Sequence, residues 1–162
     1  MTLVEFTARA LLRGRAADVF EVLTDWPRQS AWVPGTVVDH RGGPVGQAGE
    51  RFGGRTGVGP LSFDDPMTVL ERRPPRDGRP GVVDIVKTGS LLGGRVGIGV
   101  RDVGGGFVAV EWTERILVRP RALALLAALG GPVPGWFGRL AFEAVLRTAR
   151  AELEAGPGRG TT

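Results

Sequence analysis

Two periodicities divide the chain. Residues 3 to 12 alternate, with Leu3, Glu5, Thr7 and Arg9 opposed to Val4, Phe6, Ala8 and Ala10, which is the period of two that a strand imposes. From Ala16 to Asp25 the apolar positions Ala16, Val19, Phe20, Val22 and Leu23 recur at helical spacing, and Asp18 sits in the first turn, where its charge suits the helix dipole. Pro27 opens a second, short helix that carries Trp32 and is closed by Pro34 and Gly35,. Six strand-like segments follow up to about residue 119: "TVVDHR", "ERFGGRTGV", "LSFDDPMTVLERR", "GVVDIVKTG", "GRVGIGVRDV" and "FVAVEWTERILV". Glycine- and proline-rich turns separate them, so the pattern predicts an antiparallel meander. Beyond Pro120 come the apolar "RALALLAALGGPVPG" and a long helix predicted from Trp136 to Glu154. Its charged residues Arg139, Glu143, Arg147, Arg150 and Glu154 form one narrow stripe, which leaves the rest of the helix to be covered,. The closing "GPGRGTT" has nothing to bury and is expected to be disordered,.

Composition narrows the chemistry. With 162 residues and 42% hydrophobic content, the chain amounts to one domain with a sizeable core. It has no cysteine and only one histidine, His40, so disulfides, thiolate metal sites and histidine clusters are excluded, and with them a zinc enzyme. The amino terminus "MTLVEFTARALL" alternates, and no apolar run approaches the roughly 18 residues of a membrane span,. A cytoplasmic location without stable membrane insertion is the expectation. The net charge is +4, and Lys87 is the sole lysine among 21 basic residues. The arginines are scattered and not gathered in a stripe with aromatics, which argues against nucleic acid as a partner. The glycine-rich stretches lack both the phosphate-loop ending and the Rossmann spacing, so no cofactor is called for.

The order of elements carries a resemblance. "AADVFEVLTDWPRQSAWVPG" at 16 to 35 and "FGRLAFEAVLRTARAEL" at 137 to 153 resemble the START-like (SRPBCC) superfamily of polyketide cyclases and lipid-transfer proteins. The likeness covers nearly the whole chain; one departure is Arg15-Ala16 at the helix start, where many relatives have a Ser or Asp cap with Pro. It implies an α+β helix-grip fold: a curved antiparallel sheet of about seven strands wrapped around a long carboxy-terminal helix, with two short helices between strands 1 and 2. Residues 1–155 then form a single START-like ligand-binding domain and 156–162 a disordered tail. The ligand cavity is expected between the concave face of the sheet and the long helix, whose Phe137 and Ala141 face it.

Alternation points to the polar residues that face inward. Val108, Val110, Trp112, Ile116 and Val118 share a face with Glu114, which makes Glu114 the odd residue of an apolar face,. A buried carboxylate is costly unless paired or protonated, so Glu114 is either bridged to a base, placed at a wet mouth, or functional; it is the best candidate for a catalytic acid or base. In "SFDDPMTVLE" Phe63, Met67 and Val69 share the parity of Asp65, and Asp64 has the other. Asp65 faces the cavity if Pro66 preserves the register, and a bulge there reverses the assignment. Either way the two aspartates are no dyad, because neighbours on a strand point to opposite faces. Lys87 shares a face with Val83 and Ile85. It is exposed, or else it lies inward with Asp65 or Glu114 as an ion pair or an anchor for a ligand's oxygens. Arg101 is a further polar candidate, and Trp32, Phe52, Ile98 and Trp112 complete the expected lining; His40, near a strand end, is expected to be exposed.

Three functions fit. The first is binding of a hydrophobic small molecule, a lipid, polyketide or other ring compound. The second is a polyketide cyclase or aromatase with an acid or base in the same cavity. The third is a protein-interaction or membrane-surface role for residues 122–138, as a lid, an interfacial anchor or the contact of a homodimer.

Overall fold

The computed structural model describes residues 2–33, 35–57, 59, 62–120, 143, 146–148, 150 and 151. The elements run β1 (Thr2–Arg13), α1 (Ala16–Leu23), a 3-10 turn (Pro27–Ala31), β2 (Thr36–Gly42), β3 (Arg51–Thr56), β4 (Phe63–Arg73), β5 (Gly81–Thr88), β6 (Leu92–Gly104) and β7 (Phe107–Val118). Seven strands and two short helical pieces therefore stand where periodicity and turn residues predict them. The strands form one antiparallel sheet in the order β1-β7-β6-β5-β4-β3-β2. The expected long helix, its residues Phe137 and Ala141, the 122–138 segment and the 156–162 tail lie outside the described residues, apart from 143, 146–148, 150 and 151, which are helical. Leu146 of that helix is buried and belongs to the hydrophobic core.

Side-chain parity sets the two faces. Ala8 and Leu12 of β1, Val83 and Ile85 of β5, Val96, Ile98 and Val100 of β6, and Val108 and Val110 of β7 are all buried on one face. The alternate positions Gly97 and Gly99 look to the other side, where an added Cβ would meet nothing within 4 Å. The bare face of β6 is thus the outer one.

The inner face is strongly curved. Val38 of β2 and Ile116 of β7 border the same small cavity, yet they belong to strands five places apart in the sheet, which would stand about 24 Å apart if it were flat. Register shifts at His40/Gly42, Val69/Glu71 and Asp102/Gly104 supply local bends,.

Helix α1 packs on β5 and β6 through Val19, Phe20 and Leu23. Arg72 of β4 ties it down: Nη2 donates to Glu21 Oε2 at 2.7 Å and to Thr24 Oγ1 at 3.0 Å, Nη1 donates to the Gly46 carbonyl at 3.1 Å, and the guanidinium lies 4.8 Å from the centre of the Phe20 ring. The 3-10 turn is fixed to β2, since Val38 N donates to Ser30 Oγ at 2.7 Å. Gly81 permits the close approach of α1, because a Cβ there would stand 2.7 Å from both the Phe20 ring and Pro75. Gly81→Val is accordingly expected to cost about 1–3 kcal/mol through overpacking, read as a lowered urea midpoint, whereas Gly97→Ala on the open outer face should stay within about 0.5 kcal/mol.

Candidate functional site

Three ionisable side chains from three strands meet on the concave face. Lys87 of β5 pairs across the ladder with Met67 of β4, and Asp65 lies two residues before Met67 on the same face. Lys87 Nζ donates to Asp65 Oδ2 at 2.7 Å and stands 3.7 Å from Glu114 Oε2. On its other side Lys87 is paired with Gly94 of β6, which places no side chain between it and β7. Gly94 has φ +128°, and a Cβ there would collide with the Arg115 carbonyl, so the gap is built into the backbone. Trp112 Nε1 donates to Glu114 Oε1 at 3.1 Å, two residues away on the same face of β7. All three charged groups are buried.

Burial alone would push the Lys87 ammonium down, but the charges of Glu114 and Asp65 and their hydrogen bonds more than offset it and hold Lys87 above its ordinary value of 10.5,. Lys87 is therefore a charged group at neutral pH and not a neutral amine nucleophile. Its third contact is Met67 Sδ at 3.8 Å. Asp65 Oδ1 is buried and has no hydrogen-bond partner, and the same holds for Trp26 Nε1.

These groups line a cavity of about 200 Å³. Of the residues expected to line it, Phe52, Phe63, Asp65, Met67, Lys87, Trp112 and Glu114 border the cavity. Trp32 and Ile98 do not; they are packed into the hydrophobic core. Arg101 is exposed and borders a separate, open groove with Arg9, Leu11 and Glu111. The lining also includes Trp26 and Gln29, which periodicity did not single out. Trp26 stacks on Phe52 with ring centres 4.3 Å apart and planes 3° apart, and Gln29 Nε2 donates to the Leu23 carbonyl at 3.1 Å. The "DWP" joint was their one sequence signal.

The two adjacent aspartates separate as strand alternation requires. The β3 ladder runs through Pro66 without a shift, pairing Gly54 with Asp65 and Gly53 with Pro66. Pro66 marks neither an edge nor a bulge: β4 is an interior strand, and its pairing with β5 starts only at Met67. Asp64 faces outward and takes two hydrogen bonds from Arg41, at 2.6 and 2.7 Å. That guanidinium holds the Asp64 carboxyl below its ordinary value. His40 is exposed, with Nδ1 3.3 Å from Glu50 Oε1. No helix among the described residues is long and apolar enough to cross a membrane.

No protein-family model matches the sequence, and a comparison with curated proteins finds no match. Solved structures do match. The di-domain ARO/CYC StfQ from the steffimycin biosynthetic pathway is 16% identical with a TM-score of 0.62 over 94% of this chain, which spans about half (51%) of that protein. The Zhui aromatase/cyclase from a Streptomyces species is 17% identical with a TM-score of 0.59, over 97% of this chain and 99% of that one. Norcoclaurine synthase from Thalictrum flavum, in complex with dopamine and hydroxybenzaldehyde, is 15% identical with a TM-score of 0.57, over 98% and 90%. At these identities the likeness is one of fold, and it is the START-like fold that the sequence resembles.

The triad makes a prediction about stability. Lys87→Met leaves two buried carboxyl groups without their cation and should cost about 3–5 kcal/mol at pH 7, read as a lowered urea midpoint. The chain has no Tyr or Cys, so Lys87 is the one side chain that ordinarily titrates between about pH 8 and 12. Because its value is raised in the folded state, its contribution is complete below 10.5 and fades as pH climbs beyond that,. Urea midpoints of the unmodified protein should hold up to about pH 10 and fall as pH climbs beyond 10.5,, and a Lys87→Met midpoint with the same fall would show that Lys87 is not its source.

Proposed function

We propose that the protein binds a hydrophobic small molecule in the cavity under the concave face of its sheet. The observation that carries this reading is an apolar cavity, bordered by Trp26, Phe52, Phe63, Ile85 and Trp112, with the charged groups of the described residues gathered in one cluster. Ligand sites have this composition: apolar walls and a few placed polar groups. At about 200 Å³ the space lies below the about 300–1,000 Å³ of drug-sized sites. That favours a compact ring compound over a long acyl chain or an extended polyketide.

A second reading, a cyclase or aromatase type of enzyme, is favoured by one atom. Asp65 Oδ1 is a buried, unpartnered carboxylate oxygen of a residue that borders the cavity, and a carboxylate beside a substrate pocket is the kind of group that serves as acid or base. Two of the structural neighbours carry the names of aromatase/cyclases, which agrees with this reading, although a shared fold hosts many activities. Glu114 is the weaker candidate for proton transfer, because one oxygen accepts from Trp112 and the other faces Lys87. In this reading Asp65 moves the proton and Glu114 positions Lys87. The role of residues 122–138 as lid, anchor or dimer contact stays outside the described residues.

Native mass spectrometry of freshly purified protein, followed by organic extraction, tests the binding reading. A retained compact ring compound is the expected result; a clean apo mass, with no saturable quenching of tryptophan fluorescence by added ring compounds, would sink it. For the enzymatic reading, Asp65→Asn should lower cyclisation of a short poly-β-keto thioester by about 100-fold or more, with the fold checked by circular dichroism. Undiminished turnover in a folded Asp65→Asn protein removes that role.

A further inference from the structure

We propose that the cavity selects a compact ring compound that presents a protonated amine to Asp65, an inference that rests on the ligand-binding reading above. Asp65, Glu114 and Lys87 are the only charged side chains among the described residues that border the cavity. Two carboxyl groups face one ammonium, so among the described residues the cluster has one more acidic group than basic, in apolar surroundings. A buried surplus acid of this kind calls for a counter-charge or a proton.

Hydrogen-bond roles point the same way. A lysine ammonium has three N–H donors and no acceptor. Lys87 Nζ donates to Asp65 Oδ2 and Met67 Sδ and stands 3.7 Å from Glu114 Oε2, so its N–H groups are directed to acceptors within the cluster. Glu114 is likewise engaged, by Trp112 and Lys87. The unsatisfied position is Asp65 Oδ1, a buried acceptor without a hydrogen-bond partner on a residue that borders the cavity. The cluster therefore offers a ligand an acceptor and a negative charge, the reverse of an anchor for ligand oxygens. Aromatic walls reinforce this preference, because Trp26, Phe52 and Trp112 border the cavity and aromatic rings suit a cation-bearing ring compound. A neutral ligand would leave the surplus acidic group without a counter-charge, and an anionic one would add another.

Four probes with one ring and different head groups test the proposal: benzylamine, benzyl alcohol, toluene and benzoate. Each is titrated at pH 7 into the full chain, with affinity read by calorimetry and position by the indole N–H resonances of the tryptophans. Benzylamine is expected to bind about tenfold or more tighter than toluene and benzyl alcohol, the worth of one charge-assisted hydrogen bond, and benzoate weakest of all. Asp65→Asn should erase the amine preference while toluene affinity stays within about threefold. Equal affinity of benzylamine and toluene, a match by benzyl alcohol, or tighter benzoate binding overturns the amine inference and leaves the ligand-binding reading standing. No detectable binding of any probe overturns both. The ranking is obtained on the unmodified protein, so it decides the question even where the variant fails to fold.

Discussion

A single ammonium inside a sheet constrains the site around it. Lys87 is buried, and a buried lysine without acceptors would lose its proton or unfold its surroundings. It keeps the proton because the curvature of the sheet brings acceptors from two other strands to it, Asp65 from β4 and Glu114 from β7. Each element of the arrangement is needed by another. Gly94 leaves the path across β6 free, the undisturbed β3 register through Pro66 points Asp65 inward, and Trp112 fixes the second oxygen of Glu114. Satisfied polar clusters of this kind specify one packing of an interior, since half-satisfied alternatives are costly.

Most of the sheet was legible in the sequence, for a simple reason. Along β5, β6 and β7 buried and less buried positions alternate, so the buried set Val108, Val110, Trp112 and Glu114 could be read from parity alone. The assignment of Asp65 and Asp64 to opposite faces follows from the same rule, and only the register at Pro66 had to be observed. What sequence could not supply was contact between strands distant in sequence. Lys87 looked equally suited to solvent, because nothing within β5 reveals that its acceptors sit 22 residues before it and 27 after it. Ile98 shows the opposite error: its parity is inward, yet inward on this face means core at one place and cavity at another, and Trp32, at the end of the 3-10 turn, is likewise packed into the core. Arg72, which clamps α1 and the β2–β3 loop, carried no local signal either.

The matching structures and the local chemistry answer different questions. Identities of 14–17% with TM-scores near 0.6 establish a common backbone, and the backbone explains why a cavity forms where β2 through β7 curl together. It does not choose the occupant. That choice is made by side chains on the inner face, and the lining of this cavity is dominated by aromatic and aliphatic groups around one polar cluster. Function on such a fold is a property of the site and not of the architecture.

Stability offers no sufficient reason for that cluster. Replacing a buried ion-pair triad with well-packed apolar side chains is often neutral or stabilising by about 1–4 kcal/mol, and the surrounding residues, among them Ile85, Val96 and Ile116, would receive such a replacement without strain on their chemistry. A triad serving only to hold the sheet together would also be expected to close on itself. This one leaves Asp65 Oδ1 buried without a partner, at a cost on the order of 1–3 kcal/mol. An unsatisfied oxygen on a residue that borders a cavity is a cost that folding does not recover. Under the proposed ligand-binding reading the cluster serves recognition, and the curvature of the sheet is the means of assembling it.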